Sequence, residues 1–504
     1  MNSDKTFFGH PRGLATLFFT EMWERFSYYG MRALLLLFMV ASIEKGGMGL
    51  DEKTGGAIYG LYTMFVYLLA LPGGWLADKF FGLRKSVFYG GCLIALGHFC
   101  LAFPFTETFF VGLLLIVMGT GMLKPTISSL VGELYSSNEQ AKRDAGFSIF
   151  YIGINVGATI APLITSFLGE TINWHYGFAA AGLGMVCGLV QYKLTEKNLG
   201  TSGLEPSKLA DPVLQLKREK NIRLGLIIFI TALAVFVGLL LTHIISINPV
   251  AIAQISTYVL AGSVIVYFIY VLLVEELDLS EKKKIVSIAL LFMASAMFYG
   301  GYEQQGSSLT LFADRYTDRF IGTFQFPSGW FQTVPPLAVV LLTPFIAWLW
   351  VWLSSKRNMS PSTPAKLSFG LLFMGLGYAA MMWASLRLVA SGQIGNNASP
   401  NWLVLTYVLH TFGEICLYPV GLSAVSKLSP KRLLGQMMGV WFISLALGNL
   451  VAGLFAGEFD EQVIASDPNL LVDLFWIVTK VMMVAGVIFL LLAKPIKKLM
   501  GDIH

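Results

Sequence analysis

The chain has 504 residues, of which 55% are hydrophobic and 13% charged, with a formal net charge of +5 and a mean hydropathy of +0.68. Soluble globular proteins carry about 25% charged residues, so too little charge remains here to coat a water-facing surface. That argues against a soluble enzyme, a nucleic-acid binder and a disordered chain, and for a polytopic helical membrane protein.

Apolar runs with polar punctuation follow one another along the chain. The first, 13–42, comes after a short polar N-terminus; it holds Glu21, Glu24 and Arg25 and no small-residue cleavage site, so it reads as a retained helix and not a signal peptide. Runs at 55–77, 86–105, 109–129, 145–168 and 176–194 come next. The polar stretch 195–222, with mixed charge and two prolines, separates them from two further spans, 223–244 and 252–274. The interiors of that pair carry no acid or base, and His243 and Asn248 stand at the turn between them. A second charged stretch, 274–284, precedes runs at 285–312, 329–353, 366–390, 401–425, 435–457 and 470–493. At about 20 residues per span, fourteen spans fit the apolar content. The expected architecture is all-α and integral to the membrane. A six-helix bundle over 1–194 and another over 285–504 flank linkers and an inserted helix pair over 195–284, and the six-plus-six halves suggest an internal repeat with a pathway between them.

Charge placement tests this count. Of the 35 Lys and Arg residues, 26 fall in segments that alternation assigns to one side and 5 on the other, leaving Arg25, Arg32, Lys124 and Lys480 inside spans. The positive-inside rule puts both termini in the cytoplasm. Cys92, Cys100, Cys187 and Cys416 all lie in apolar runs without a CxxC pair, and read as small buried hydrophobes.

Charges inside a membrane are costly, which makes each a functional candidate. In the first span, Glu21, Glu24, Arg25, Tyr28, Tyr29 and Arg32 share one helix face. A self-neutralising structural network is the competing reading. Lys124 sits in GTGMLKPT, where Gly119 and Gly121 permit close backbone approach and Pro125 loosens the helix; snorkelling to an interface is the alternative. The second half supplies acids, Glu303 in YEQQGSS and Glu414 in HTFGEICLYPVG. A cavity between the halves would be positive on one wall and negative on the other, and a zwitterion is its natural guest. Tyr67, Asn155, Tyr299, Gln304, Tyr418 and Trp441 fill out the candidate lining, although such aromatics are individually more often packing or belt residues. Between the second and third spans, GWLADKFFGLRK presents Gly74, Asp78, Gly82 and Arg84, a pattern that resembles the loop signature of the major facilitator superfamily. The chain has no HExxH, P-loop or GxSxG signature, so neither an enzyme nor a cofactor or metal site is expected.

Together, Glu21-xx-Glu24-Arg25 with Phe26 and Tyr28-Tyr29, the segment FSIFYIGINVG (147–157), the loop GGWLADKFFG (73–82), EQQGSS (303–308) and FGE (412–414) resemble the proton-coupled oligopeptide transporter (POT/PTR) family, prokaryotic branch, over about residues 10 to 495. The resemblance implies a major facilitator fold and proton-coupled import of di- and tripeptides across the bacterial inner membrane by alternating access, by a monomer with no nucleic-acid partner. It implies proton coupling at Glu21, Glu24 and Arg25. It implies a peptide carboxylate held by Arg25 and Lys124, an amino end held by Glu414 with Asn155, and pockets lined by Tyr28, Tyr29 and Tyr67. Lys124 with Glu414, and Arg32 with Asp314, would pair as gates on the cytoplasmic and periplasmic sides. Many bacterial members have Trp where Tyr299 sits, Asn at Pro335, and Ser at Tyr418 and Leu445. These changes remove amide and hydroxyl contacts near the amino-end subsite. Gly60 occupies the place of the proton-handling His of animal members, so coupling must rest on the carboxylates. Two competing functions are a proton-coupled transporter of another zwitterionic or anionic solute, and a non-transporting membrane sensor.

Overall fold

Inside a bilayer no water is available to backbone N–H and C=O groups, so a spanning run must satisfy them internally, and a helix does so. The computed structural model describes residues 6–136, 138–242, 244–357, 361–392, 395 and 398–501, and each expected apolar run is helical. His243, expected at the turn of the inserted pair, lies outside the described residues.

The first half runs α1 (Arg12–Val40), α2 (Glu52–Leu68), α3 (Ala70–Leu76), α4 (Leu83–Leu101), α5 (Thr106–Glu133), α6 (Gln140–Thr171) and α7 (Trp174–Thr195). The inserted pair is α8 (Pro212–Leu241) and α9 (Pro249–Leu273). The second half comprises α10 (Leu279–Tyr302), α11 (Ser308–Arg315), α12 (Val334–Arg357), α13 (Thr363–Ser391), α14 (Asn401–Leu428), α15 (Leu434–Ala456), α16 (Glu461–Ser466), α17 (Asn469–Leu491) and α18 (Ala493–Met500). Among the described residues, twelve helical segments are long and apolar enough to cross a membrane. α1 and α4 fall outside that set. α1 carries Glu21, Glu24, Arg25 and Arg32, and α4 is 19 residues long and opens on Leu83-Arg84-Lys85. The chain is thus a multi-pass membrane protein, but apolar length alone yields twelve spans, not the fourteen expected.

Local chemistry sets the breaks. The run 55–77 is interrupted at Leu69, and a wider turn over Ala77–Phe81 leads to Gly82, whose φ of 80° suits a residue without a Cβ. The run 285–312 is divided by a 3-10 turn at Glu303–Gly306. α8 begins at Pro212, not at 223, because Asp211 accepts hydrogen bonds from the Val213 and Leu214 amides and Pro212 suits the first turn. A short hairpin, β1 (Phe320–Ile321) with β2 (Phe324–Gln325), and the small helices α16 and α18 had no counterpart among the expected spans.

In the first half α1 packs against α6 and α7, and α4 against α5 and α7; in the second, α13 packs against α14 and α17, and α10 against α15. α2 makes its main contact across the halves, with α15. There the backbones nearly touch, since a Cβ added at Gly453 would lie 2.5 Å from the Gly56 carbonyl oxygen and 2.6 Å from the Gly60 nitrogen. α9 rests on both α2 and α15, whereas α8 buries Ile222 in its first half and exposes Ile227, Ile228 and Phe229.

The polar stretch after α7 straps the signature loop. Arg84 donates to the Ser202 and Gly200 carbonyls, each at 2.6 Å, and the Ser207 amide donates to the Asp78 carbonyl at 2.8 Å. Glu133, at the end of α5, accepts from the Gly203 amide at 2.8 Å.

Candidate functional site

Hydrogen bonds and ion pairs between the halves gather at one end of the molecule. Glu170, near the end of α6, accepts from the Ser328 amide at 2.6 Å and the Gly329 amide at 2.8 Å, and pairs with Arg319 at 3.4 Å. Trp330 donates to the Leu163 carbonyl at 3.1 Å, and Arg315 pairs with Glu52 at 2.7 Å. Below this closed end the halves part around a cavity of about 490 Å³. Toward its other end the lining includes Leu71, Ser128 and Tyr151, all exposed.

α1 supplies the charged floor. One turn of helix separates Glu21 from Arg25, and their side chains meet at 3.2 Å. Glu24, fully buried, also binds the Arg25 guanidinium, and the Arg25 group lies 5.2 Å from the Tyr28 ring centre. Among the described residues, one oxygen of each carboxylate, Glu21 Oε2 and Glu24 Oε1, accepts no hydrogen bond. About two turns beyond Arg25, Arg32 donates to the Tyr59 hydroxyl at 2.8 Å and pairs with Glu303 at 2.7 Å. Burying a charge costs several kcal/mol unless it is paired, and this ladder matches each of the two guanidiniums with acids.

The remaining two cavity charges are held by aromatics. Lys124, on α5 beside Pro125, places its ammonium 4.2 Å from the Tyr67 ring centre. Among the described residues it makes no ion pair. Glu414, on α14 ahead of Pro419, accepts a hydrogen bond from the Tyr302 hydroxyl at 2.5 Å. The cavity therefore has a cation and an anion on opposite halves of the chain, neither cancelled by a salt bridge.

Glu21, Arg25, Tyr29, Arg32, Tyr67, Lys124, Asn155, Tyr299, Glu303, Glu414 and Tyr418 all reach the cavity, as do Pro335 and Leu445. Glu24 and Tyr28 lie behind that wall and contact it through Arg25. Gln304 does not reach it. The 3-10 turn, with three residues per turn, rotates the register after Tyr302. Gln304 then donates back to the Gly300 carbonyl at 3.0 Å, and Gln305 takes the lining position. Trp441 is 1% exposed and packs on Gly421, where an added Cβ would stand 2.2 Å from its ring; Phe442 lines the cavity instead.

Neither expected gate pair is formed. Arg32 takes Glu303, not Asp314, because Glu303 heads the turn directly beside it; Asp314 is held at 2.8 Å by Arg319, five residues along. Lys124 and Glu414 share the cavity but are bound to Tyr67 and Tyr302. Tyr302, Tyr151 and Gln305 are lining residues that the sequence reading missed. Adjacency to Glu303 was the available signal for Tyr302, the last residue of α10.

The chain matches the family model described as POT family over residues 84–470. It is similar to the peptide transporter YePEPT of Yersinia enterocolitica subsp. palearctica, 40% identical over 510 residues, covering 99% of this chain and 97% of that one. It is 36% identical over 516 residues to a di-/tripeptide transporter of Lactococcus lactis subsp. cremoris, covering 100% and 99% of the two chains. Among solved structures it resembles the peptide transporter POT in complex with sulfate, with a TM-score of 0.87, 38% identity and 98% and 97% coverage. It also resembles a POT family transporter in complex with 5-aminolevulinic acid, with a TM-score of 0.85, 34% identity and 98% coverage of both chains.

Proposed function

The chain belongs to the POT family, and on that premise we propose that it is a proton-coupled symporter that imports di- and tripeptides by alternating access. One observation carries the reading: the cavity holds Lys124 and Glu414, opposite charges contributed by opposite halves, each restrained by a tyrosine and neither neutralised. A short peptide is a zwitterion whose two charges are separated by its backbone, so it can meet both. The carboxylate goes to Lys124 and Arg25, and the ammonium to Glu414. Tyr29 and Tyr67 flank the peptide between them, and Asn155 and Tyr299 complete the lining.

We place the chain in a bacterial inner membrane with both termini cytoplasmic, since basic residues concentrate in the loops on that side. In this reading the twelve long apolar helical segments cross the bilayer together with α1 and α4. α1 and α4 do so packed inside the first bundle, where the charges of α1 pair with one another and with Glu303. Residues 1–194 and 285–504 are the moving halves, and 195–284 is an appended linker and helix pair. With this orientation the closed end is periplasmic and the cavity faces inward. Arg32–Glu303, Arg315–Glu52 and the Glu170 cluster serve as the outer gate. The strapped loop at Gly74, Asp78, Gly82 and Arg84 is the hinge-side contact on the cytoplasmic face.

Coupling follows from competition for Arg25. While Glu21 and Glu24 are ionised they occupy its guanidinium. A proton on Glu21, whose second oxygen accepts no hydrogen bond among the described residues, weakens that hold and releases Arg25 toward the peptide carboxylate. One charge crossing a 100 mV potential contributes about 2.3 kcal/mol, or about 50-fold accumulation. Glu21→Gln is therefore expected to abolish gradient-driven uptake of dialanine into proteoliposomes while preserving counterflow exchange. Undiminished gradient-driven uptake in that variant would contradict the coupling role. The similar transporter solved with 5-aminolevulinic acid favours one further substrate class, small zwitterions without a peptide bond, and competition with labelled dialanine measures its share.

A further inference from the structure

We propose that Tyr302 is a positioning residue for substrate recognition: its hydroxyl fixes the Glu414 carboxylate in an aromatic corner of the cavity and keeps it available to a substrate ammonium. The proposal rests on the reading of Glu414 as the amino-end partner.

Two charges of opposite sign face one cavity, and in a medium of low dielectric their attraction is strong even over several ångströms. Left free, the flexible Lys124 and Glu414 side chains would close on each other and cancel. Each is instead tied to a ring, Lys124 over Tyr67 at 4.2 Å and Glu414 to Tyr302 at 2.5 Å. A phenol is a suitable tether for a binding carboxylate. It satisfies one oxygen by donating a hydrogen bond, leaves the other open, and adds no charge, whereas Lys or Arg in its place would neutralise the group that must bind the ammonium.

Tyr302 is itself fixed. It is the last residue of α10, stacked on Phe298 at 5.6 Å and 21° and edge-on to Tyr299 at 6.1 Å and 80°. Tyr299 stands edge-on to Tyr418 at 6.4 Å and 90°. The tether is thus anchored by ring packing within α10 and between α10 and α14. Aromatic rings around a carboxylate also favour an ammonium, because the ring faces carry negative potential.

Tyr302→Phe keeps the ring and its stack and removes only the tether. In counterflow assays with the full-length chain in proteoliposomes, the half-saturation concentration of dialanine is expected to rise about tenfold, the cost of losing a hydrogen bond to a charged group. The maximal rate should stay within about twofold, and competition by N-acetyl-dialanine, which has no ammonium, should not change. In a Glu414→Gln background the added Tyr302→Phe change should have no further effect, since the tether would have nothing left to hold. Unchanged half-saturation in Tyr302→Phe, or a full additive loss in the double variant, overturns the proposal. So does a fall in the melting temperature of the detergent-solubilised protein that tracks the affinity loss, which would make the residue structural. A Glu414→Gln variant that still prefers dialanine to its N-acetyl form overturns the Glu414 reading itself. A loss of that preference in Glu414→Gln combined with its retention in Tyr302→Phe overturns only the role of Tyr302.

Discussion

Lys124 shows how a single residue can be read from its surroundings. Its ammonium lies over a tyrosine ring with no carboxylate at ion-pair distance among the described residues, an arrangement that costs stability unless an anion arrives during function. Removing it should therefore harm one class of ligand selectively. Lys124→Ala is expected to weaken binding of dialanine at least tenfold, the loss of a charge-assisted hydrogen bond, and to weaken binding of alanyl-alaninamide much less. Competition assays in proteoliposomes measure both, and equal losses would contradict the assignment of the carboxylate to Lys124. The charges of α1 were legible from sequence because their spacing follows one helix face. Gln304 was not, because the register past Tyr302 is set by a 3-10 turn. Trp441 misled for another reason: its residue type suits a binding pocket, but the small Gly421 opposite lets it sink into the α14–α15 contact. Asp314 was misassigned because it and Glu303 are both acids near the same end, and spacing cannot tell which of two acids an arginine reaches.

At the scale of elements, the seam between α2 and α15 is the tightest joint across the halves. Gly56, Gly60 and Gly453 let backbones meet where any side chain would collide. Overpacking such a contact costs about 1–3 kcal/mol, charged only to the conformation in which the seam is closed. Gly453→Val is therefore expected to shift the molecule toward an open outer end by about 5- to 150-fold. A cysteine placed at Gln332, on the cavity wall near that end, should then react faster with an impermeant thiol reagent added outside, in a background lacking the native cysteines. Unchanged labelling would show that the seam does not open during transport. The helices themselves were legible because apolar length in a bilayer leaves the backbone little choice. The break at Leu69, the strap over Gly82 and the start of α8 at Pro212 were not, because each depends on contacts between distant segments or on caps inside a stretch that reads as linker.

For the whole molecule, Lys124 and Arg25 from one half and Glu303 and Glu414 from the other face a shared cavity, and the bonds between halves collect at one end. Such a molecule can bind a zwitterion only while both halves face it, and can exchange sides only by remaking those bonds at the other end. The inserted pair takes no part in the cavity. α9 leans on α2 and α15 along the seam, and α8 turns its apolar surface outward. The six-plus-six division is a reading of the charged stretches that interrupt the apolar pattern. The direction in which the cavity opens was not, because it depends on which end pairs and not on which residues are present.

Coupled transport can be measured with the wild-type chain in proteoliposomes. Labelled dialanine should accumulate inside above its external concentration when an inward proton gradient is imposed, and the excess should leave when a protonophore collapses the gradient. Accumulation that ignores the gradient, or equilibration with no excess at any gradient, would contradict the account.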